Sequence, residues 1–316
     1  VSGLALGWRR LGAQSSPDGA GVDDPAGAAV RRRAWRLAFA VRVLRADLAN
    51  FFLLQYRTCD GFLITGKNSG THWVKFMLSC AIARQYHVPA PVHASGRDSD
   101  AIIGHPRWPA VHAHLPRIGS SHSIPSVAFA WRLAGLGHKP VVVLVRDIRE
   151  ALQSNYVKWR QNYSTPFTRY LAGDPWGRRF VADIWWYVHF FNRWGDLAQA
   201  RPDKVLIVHY EDVQAAPRYW LERMAAHLGV ALSEDAVAAA MPYTGREALR
   251  ALLDPDYGEV IIPAAEERGR MAFSSADTAL FAAILEGHLR HPLGYDYGGG
   301  HRLAAPAPDV SVRLAG

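Results

Sequence analysis

The sequence predicts a three-layer α/β/α domain on a mainly parallel sheet, opened by a P-loop-like strand-loop-helix suited to phosphate. Short apolar runs at Gly61-Phe-Leu-Ile-Thr65, Val141-Val-Val-Leu-Val145 and Val205-Leu-Ile-Val208 have the length and composition of strands buried on both faces. Each precedes a segment of helical pattern: Thr71 to Gln85, Ile148 to Tyr163 and Pro217 to Leu228. Strand, loop and helix thus repeat three times, the pattern of a parallel sheet covered on both sides, where ligands sit at the carboxyl ends of the strands.

Taken in order, residues 1–30 are rich in Gly, Ala, Ser and Asp without periodicity and are expected to be a loose extension. Residues 31–57 form a basic amphipathic helix in this reading. Leu37, Val41, Leu44, Leu48 and Phe52 make its apolar stripe, with Arg31, Arg32, Arg33, Arg36, Arg42 and Arg45 off it. Such a helix either packs its stripe on the domain and solvates its arginines, or docks on an anionic membrane through residues 31–52. Residues 58–297 are expected to be the main domain and 298–316 a tail.

Composition narrows the class. The chain of 316 residues with 49% hydrophobic content can bury a large core, and a net charge of +8 suits a nucleotide, an acidic substrate or a membrane surface. Nucleic acid has no motif behind it. Two cysteines, Cys59 and Cys80, give neither a disulfide framework nor a zinc pair, and a reducing, cytoplasmic setting is the expectation, with peripheral membrane attachment as its variant. No run of about 18 apolar residues and no signal-peptide core is present.

The loop after the first strand, Gly66-Lys-Asn-Ser-Gly70, leads into a helix N-terminus, where unpaired N–H groups and the helix dipole favour an anion. Gly66 and Gly70 let the backbone approach, Ser69 and Thr71 add hydroxyls, and Lys67 adds a cation. Gly61, Gly66 and Lys67 also fit the spacing of a nucleotide triphosphatase loop. That match is accidental, because Asn68 stands where a magnesium-binding Ser or Thr is required and the intervening residues are strand-like.

Asn68-Ser-Gly-Thr-His-Trp73 resembles the K-S-G-T-T-W loop of sulfotransferases that use 3′-phosphoadenosine 5′-phosphosulfate (PAPS). Val141 to Tyr156 resembles the family's 3′-phosphate segment R-N-P-x-D-x-x-x-S-x-Y, with Arg146 and Ser154 eight residues apart. Val205 to Val230 is similar to its strand, Y-E-D, proline and F-L-G stretch, and Leu293-Gly-Tyr-Asp-Tyr297 to its ending. The resemblance covers Asp60 to Tyr297. It implies a sulfotransferase moving a sulfuryl group from PAPS to an acceptor hydroxyl or amine, with no metal.

By the same resemblance, Lys67, Asn68, Ser69, Gly70, Thr71 and His72 hold the 5′-phosphosulfate, Trp73 stacks on adenine with Tyr210 near it, and Arg146 and Ser154 bind the 3′-phosphate. The family's loop lysine aligns with Asn68, and Lys67 stands one place early, so either residue is a candidate for its role. Glu267-Arg-Gly-Arg270 is what remains of a late 3′-phosphate loop, making Arg268 and Gly269 candidates. Ala113-His-Leu-Pro116 resembles T-H-L-P, which makes His114 the expected base and His112 the counterpart of a family lysine. The acceptor, whether glycan, lipid, phenol or peptide, is not legible. Two other functions compete: a P-loop kinase or nucleotide triphosphatase, and a membrane-docked binding protein with a vestigial nucleotide site.

Overall fold

Each of the three apolar runs becomes a strand of one sheet. The computed structural model describes residues 25–50, 56–94, 97–106, 108, 112–126, 139–252 and 271–298. In chain order these form α1 (Pro25–Ala49), β1 (Gly61–Thr65), α2 (Thr71–Gln85), α3 (Arg97–Ile102), β2 (Ile118–Ser121), β3 (Val141–Val145), α4 (Ile148–Tyr163) and α5 (Phe167–Leu171). Then come α6 (Ile184–Ala200), β4 (Val205–His209), α7 (Tyr210–Ala215), α8 (Pro217–His227), α9 (Glu234–Ala240), α10 (Arg246–Ala251) and α11 (Ser275–His288). The strands are all parallel, in the order β2-β1-β3-β4.

Side chains alternate across a strand, so each strand feeds two cores. Leu63, Val142, Leu144 and Val208 join Val74, Phe76 and Met77 of α2 and Leu221 and Met224 of α8. Phe62, Ile64, Val141, Val143 and Val145 join Leu152 of α4, Trp185 and Phe190 of α6 and Phe281 of α11. This is the expected three-layer arrangement. The chain runs from β1 outward to β2, then crosses to β3 on the other side of β1. The topological switch therefore lies between β1 and β3, where the loops after both strands part and leave a crevice.

Two expectations need correction. The N-terminal helix begins at Pro25, inside the stretch expected to be loose, and ends at Ala49. Proline suits a first helical position, and alanines follow it. The face of α1 that packs is also not the leucine stripe. Ala38 is buried, Trp35 and Phe39 lie 5.9 and 5.3 Å from the Trp185 ring, and Arg42 donates to Asp183 at 2.9 Å. Arg193 pairs with Asp47 at 2.7 Å. One arginine from the expected solvated set thus anchors the helix, while Leu37, Leu44 and Leu48 face outward. Among the described residues no helix is long and apolar enough to cross a membrane.

Candidate active site

The loop from β1 to α2 is shaped by two left-handed residues, Asn68 at φ 57° and Gly70 at φ 87°. Gly70 is required here twice over: its φ disfavours a side chain, and a Cβ would stand 2.7 Å from Cδ2 of Tyr210. It also offers no side-chain cap, so the first-turn N–H groups of α2 remain available to an anion. Ser69 is buried, and the Thr65 and Thr71 hydroxyls lie 2.7 Å apart. Gly61 to Thr65 are buried strand, so the Gly61-Gly66-Lys67 spacing does not describe a phosphate cradle.

β3 delivers Arg146 to the other side of the switch point. Asp147 caps α4 by accepting from the amides of Arg149 and Glu150, which turns the chain there and brings Ser154 back, two turns on. Arg146 Nη1 donates to Ser154 Oγ and to the Asn68 carbonyl, both at 3.1 Å, so one guanidinium joins the two loops. Its Nη2 pairs with Glu150 at 2.5 Å and its plane lies 4.7 Å over the Tyr210 ring. Arg146 is 5% exposed, yet its Nε has no hydrogen-bond partner. Trp73 is buried edge-on to Tyr210, and its Nε1 donates to the Tyr243 carbonyl at 3.2 Å.

β2 delivers a residue that the sequence reading passed over. His122 follows its last residue, and His122 Nδ1 lies 2.8 Å from the Thr65 carbonyl and 3.1 Å from Thr65 Oγ1. A carbonyl only accepts, so Nδ1 carries the proton and Nε2 keeps its lone pair. The residue is solvent-exposed although protein surrounds it. Desolvation by that protein, against the Thr65 hydrogen bond and helped by Lys67, His72 and Lys158, pushes its pKa down to about 4.

Lys67 turns toward the start of α6. Its ammonium donates to the Val181 carbonyl at 2.7 Å and lies 5.2 Å from the Trp186 ring centroid, while Tyr187 donates to the Lys67 carbonyl at 2.9 Å. Desolvation and neighbouring Arg42, opposed by Asp183, lower its pKa to about 8. Asp183 caps α6 from a fully buried position. Burial pushes its carboxyl up, against Arg42 and the amides of Asp174 and Trp186.

His112 and His114 are not brought to this site. They precede β2, at the amino ends of the parallel strands, and His114 packs 6.3 Å from the ring of Tyr86 just beyond the far end of α2. A helix of 15 residues rises about 22 Å, so the α2 N-terminus and His114 lie at opposite ends of the layer. The misreading has a physical source. β2 reads Ile-Gly-Ser-Ser, with one apolar side chain, and gives no strand signal that would mark His122 as a carboxyl-end residue. Arg268 and Gly269 lie outside the described residues. Among the described residues no group of three or more His, Cys, Asp or Glu is placed to hold a metal.

Fold and site define a three-layer α/β protein whose switch-point loops present an uncapped helix N-terminus beside a buried guanidinium. The chain belongs to the sulfotransferase family: the Sulfotransferase domain matches residues 59–253, and sulfotransfer is its class of activity. No curated protein matches it. Among solved structures, retinol dehydratase in a complex with retinol and PAP is similar, at 16% identity and a TM-score of 0.50 over 75% of this chain and 83% of that one. Mouse sulfotransferase SULT7A1 complexed with PAP is another, at 17% identity and a TM-score of 0.47 over 73% and 84%. At these identities the likeness is one of fold.

Proposed function

We propose that this protein transfers a sulfuryl group from PAPS to an acceptor hydroxyl or amine, with His122 as the base. The observation that carries the donor is Arg146, a guanidinium buried at the switch point, bonded to Ser154 and to the loop after β1, with one N–H unmet. A buried donor without a partner is costly unless a ligand supplies the acceptor, and guanidinium geometry suits phosphate. The left-handed turn at Asn68 and Gly70 suits the 5′-phosphate end. The retinol dehydratase neighbour is a PAP complex, in line with this donor.

PAPS, when bound, supplies the sulfuryl group and a phosphate leaving group. The chain's own part is to hold it between Arg146 and the α2 N-terminus and to take the acceptor's proton. Neutral His122, with Nδ1–H held by the Thr65 carbonyl, presents Nε2 as the proton acceptor. As the acceptor oxygen or nitrogen bonds to sulfur and the bond from sulfur to the phosphate oxygen breaks, its proton passes to Nε2. The charge left on phosphate meets the first-turn amides of α2 and the Lys67 ammonium, which exchanges the Val181 carbonyl for it. Lys67 rather than Asn68 takes the cationic role here, since only it carries charge.

Two measurements test this. PAP should raise the melting temperature without magnesium, by an amount equivalent to about 2.7 kcal/mol at 100 times its dissociation constant. Labelled PAPS with a cell extract should then give labelled products whose mass spectra identify the acceptor. A melting shift that appears only with ATP and magnesium would support the kinase reading instead. PAP binding without any sulfated product would support a vestigial site.

A further inference from the structure

Helix α1 has two apolar faces, and the protein uses one. With 100° per residue, Trp35, Ala38, Phe39 and Arg42 lie on the packed side. Leu37, Val41, Leu44 and Leu48 occupy an arc of about 60° on the opposite side. Three of these are open to solvent, Leu37 by 64%, Leu44 by 59% and Leu48 by 65%. Exposed Arg33 and Arg45 flank the arc, one on each side, and exposed Arg36 lies farther round on the Arg33 side.

Part of the remaining exposed apolar surface lies on the segment packed against the other side of α1. Of the six large hydrophobic residues exposed among the described ones, three are these leucines and two, Trp176 and Val181, lie on the segment that α1 grips through Arg42. That grip is the 2.9 Å bond from Arg42 to the Asp174 carbonyl. Arg178 and Arg179 on the same segment are exposed as well. Scattered single leucines on a surface need no explanation, but a leucine stripe with arginines on both flanks does.

We propose that α1 docks this protein on an anionic lipid surface, lying in the plane of the interface with Leu37, Leu44 and Leu48 in the headgroup and acyl boundary. The charge pattern selects this occupant. The one carboxylate on α1, Asp47, is engaged by Arg193, so the outward face is purely cationic at its flanks. A second copy would set arginines against arginines, whereas anionic headgroups complement them. The helix lies on the bilayer and does not cross it. This proposal stands independently of the sulfuryl-transfer reading.

The test is co-sedimentation of the full chain with sucrose-loaded vesicles of phosphatidylcholine alone and of phosphatidylcholine with about one third phosphatidylglycerol, at about 0.1 M and about 0.5 M salt. Binding is expected to the anionic vesicles at low salt, and to fall at high salt. Leu37→Glu/Leu44→Glu/Leu48→Glu should lower the partition by at least about tenfold. Its melting temperature and its PAP-induced shift should match those of the unaltered protein. Absence of anionic-vesicle binding, or equal binding by the triple variant, overturns the proposal. So does a dimer in solution that the triple variant dissolves, which would assign the stripe to a second copy. A markedly lower melting temperature in the triple variant overturns it too, because the stripe would then be covered by the protein itself.

Discussion

His122 and His114 are both histidines two or three residues ahead of a proline, and they differ in which end of the sheet they occupy. Only His122 has its tautomer set by a backbone carbonyl, that of Thr65 at the end of β1. His122→Ala should therefore reduce turnover by about 10²–10⁴ while leaving PAP affinity nearly unchanged, and His114→Ala should leave turnover near normal. The reverse pattern in steady-state kinetics would return the base to His114. With the His122 pKa depressed to about 4, the base is neutral throughout the mild acid range. The rate should thus stay level from about pH 7 down to about pH 5, without the fall near pH 6.5 that an unperturbed histidine gives, and should decline above about pH 7 as the Lys67 ammonium, with its pKa at about 8, is lost. Arg146→Ala should weaken PAP by the equivalent of about 1.5–3 kcal/mol, and adenosine 5′-phosphosulfate, which lacks the 3′-phosphate, far less. Calorimetric titration of both ligands decides this, since equal losses would make Arg146 structural.

At the scale of elements, β1, β3 and α2 were legible because each has a local signature: β-branched runs for the strands, a glycine turn and apolar repeat for the helix. β2 was not, since its place is earned by pairing with β1, Gly61 opposite Ile118, and not by its own side chains. The packed face of α1 was hidden for a similar reason. Periodicity shows that Leu37, Val41, Leu44 and Leu48 share a face, but whether that face or the one bearing Arg42 meets the domain depends on a partner 141 residues away. Asp183 gives Arg42 that partner, and the pair is buried at the cap of α6. Arg42→Ala should accordingly cost about 3–5 kcal/mol in denaturant unfolding, because it strands a buried carboxylate. A loss under about 1 kcal/mol would place the pair among weak surface contacts.

For the molecule as a whole, the parallel order β2-β1-β3-β4 gathers the ends of β1, β2 and β3 at one edge, so residues far apart in sequence meet there. Behind that edge lies a pH liability. His189 on α6 is buried, its Nε2 has no partner, and burial with Arg193 and Arg42 lowers its pKa to about 3. Between that value and about 6.5 the unfolded chain binds the proton and the folded one does not. Stability should therefore be full above pH 6.5 and fall on acidification, by up to about 1.4 kcal/mol per pH unit from this group. Urea unfolding of the protein and of His189→Gln between pH 7 and 5 should show a shallower slope in the variant. By itself the sequence determined the layer architecture, the glycine turn after β1 and the Arg146 to Ser154 segment, because alternation, glycine turns and fixed spacing along one chain are local physics. Only the tertiary structure decided which histidine stands beside that loop and which face of α1 remains open. Both depend on which end of a strand or side of a helix meets a distant partner, and local periodicity carries no such information.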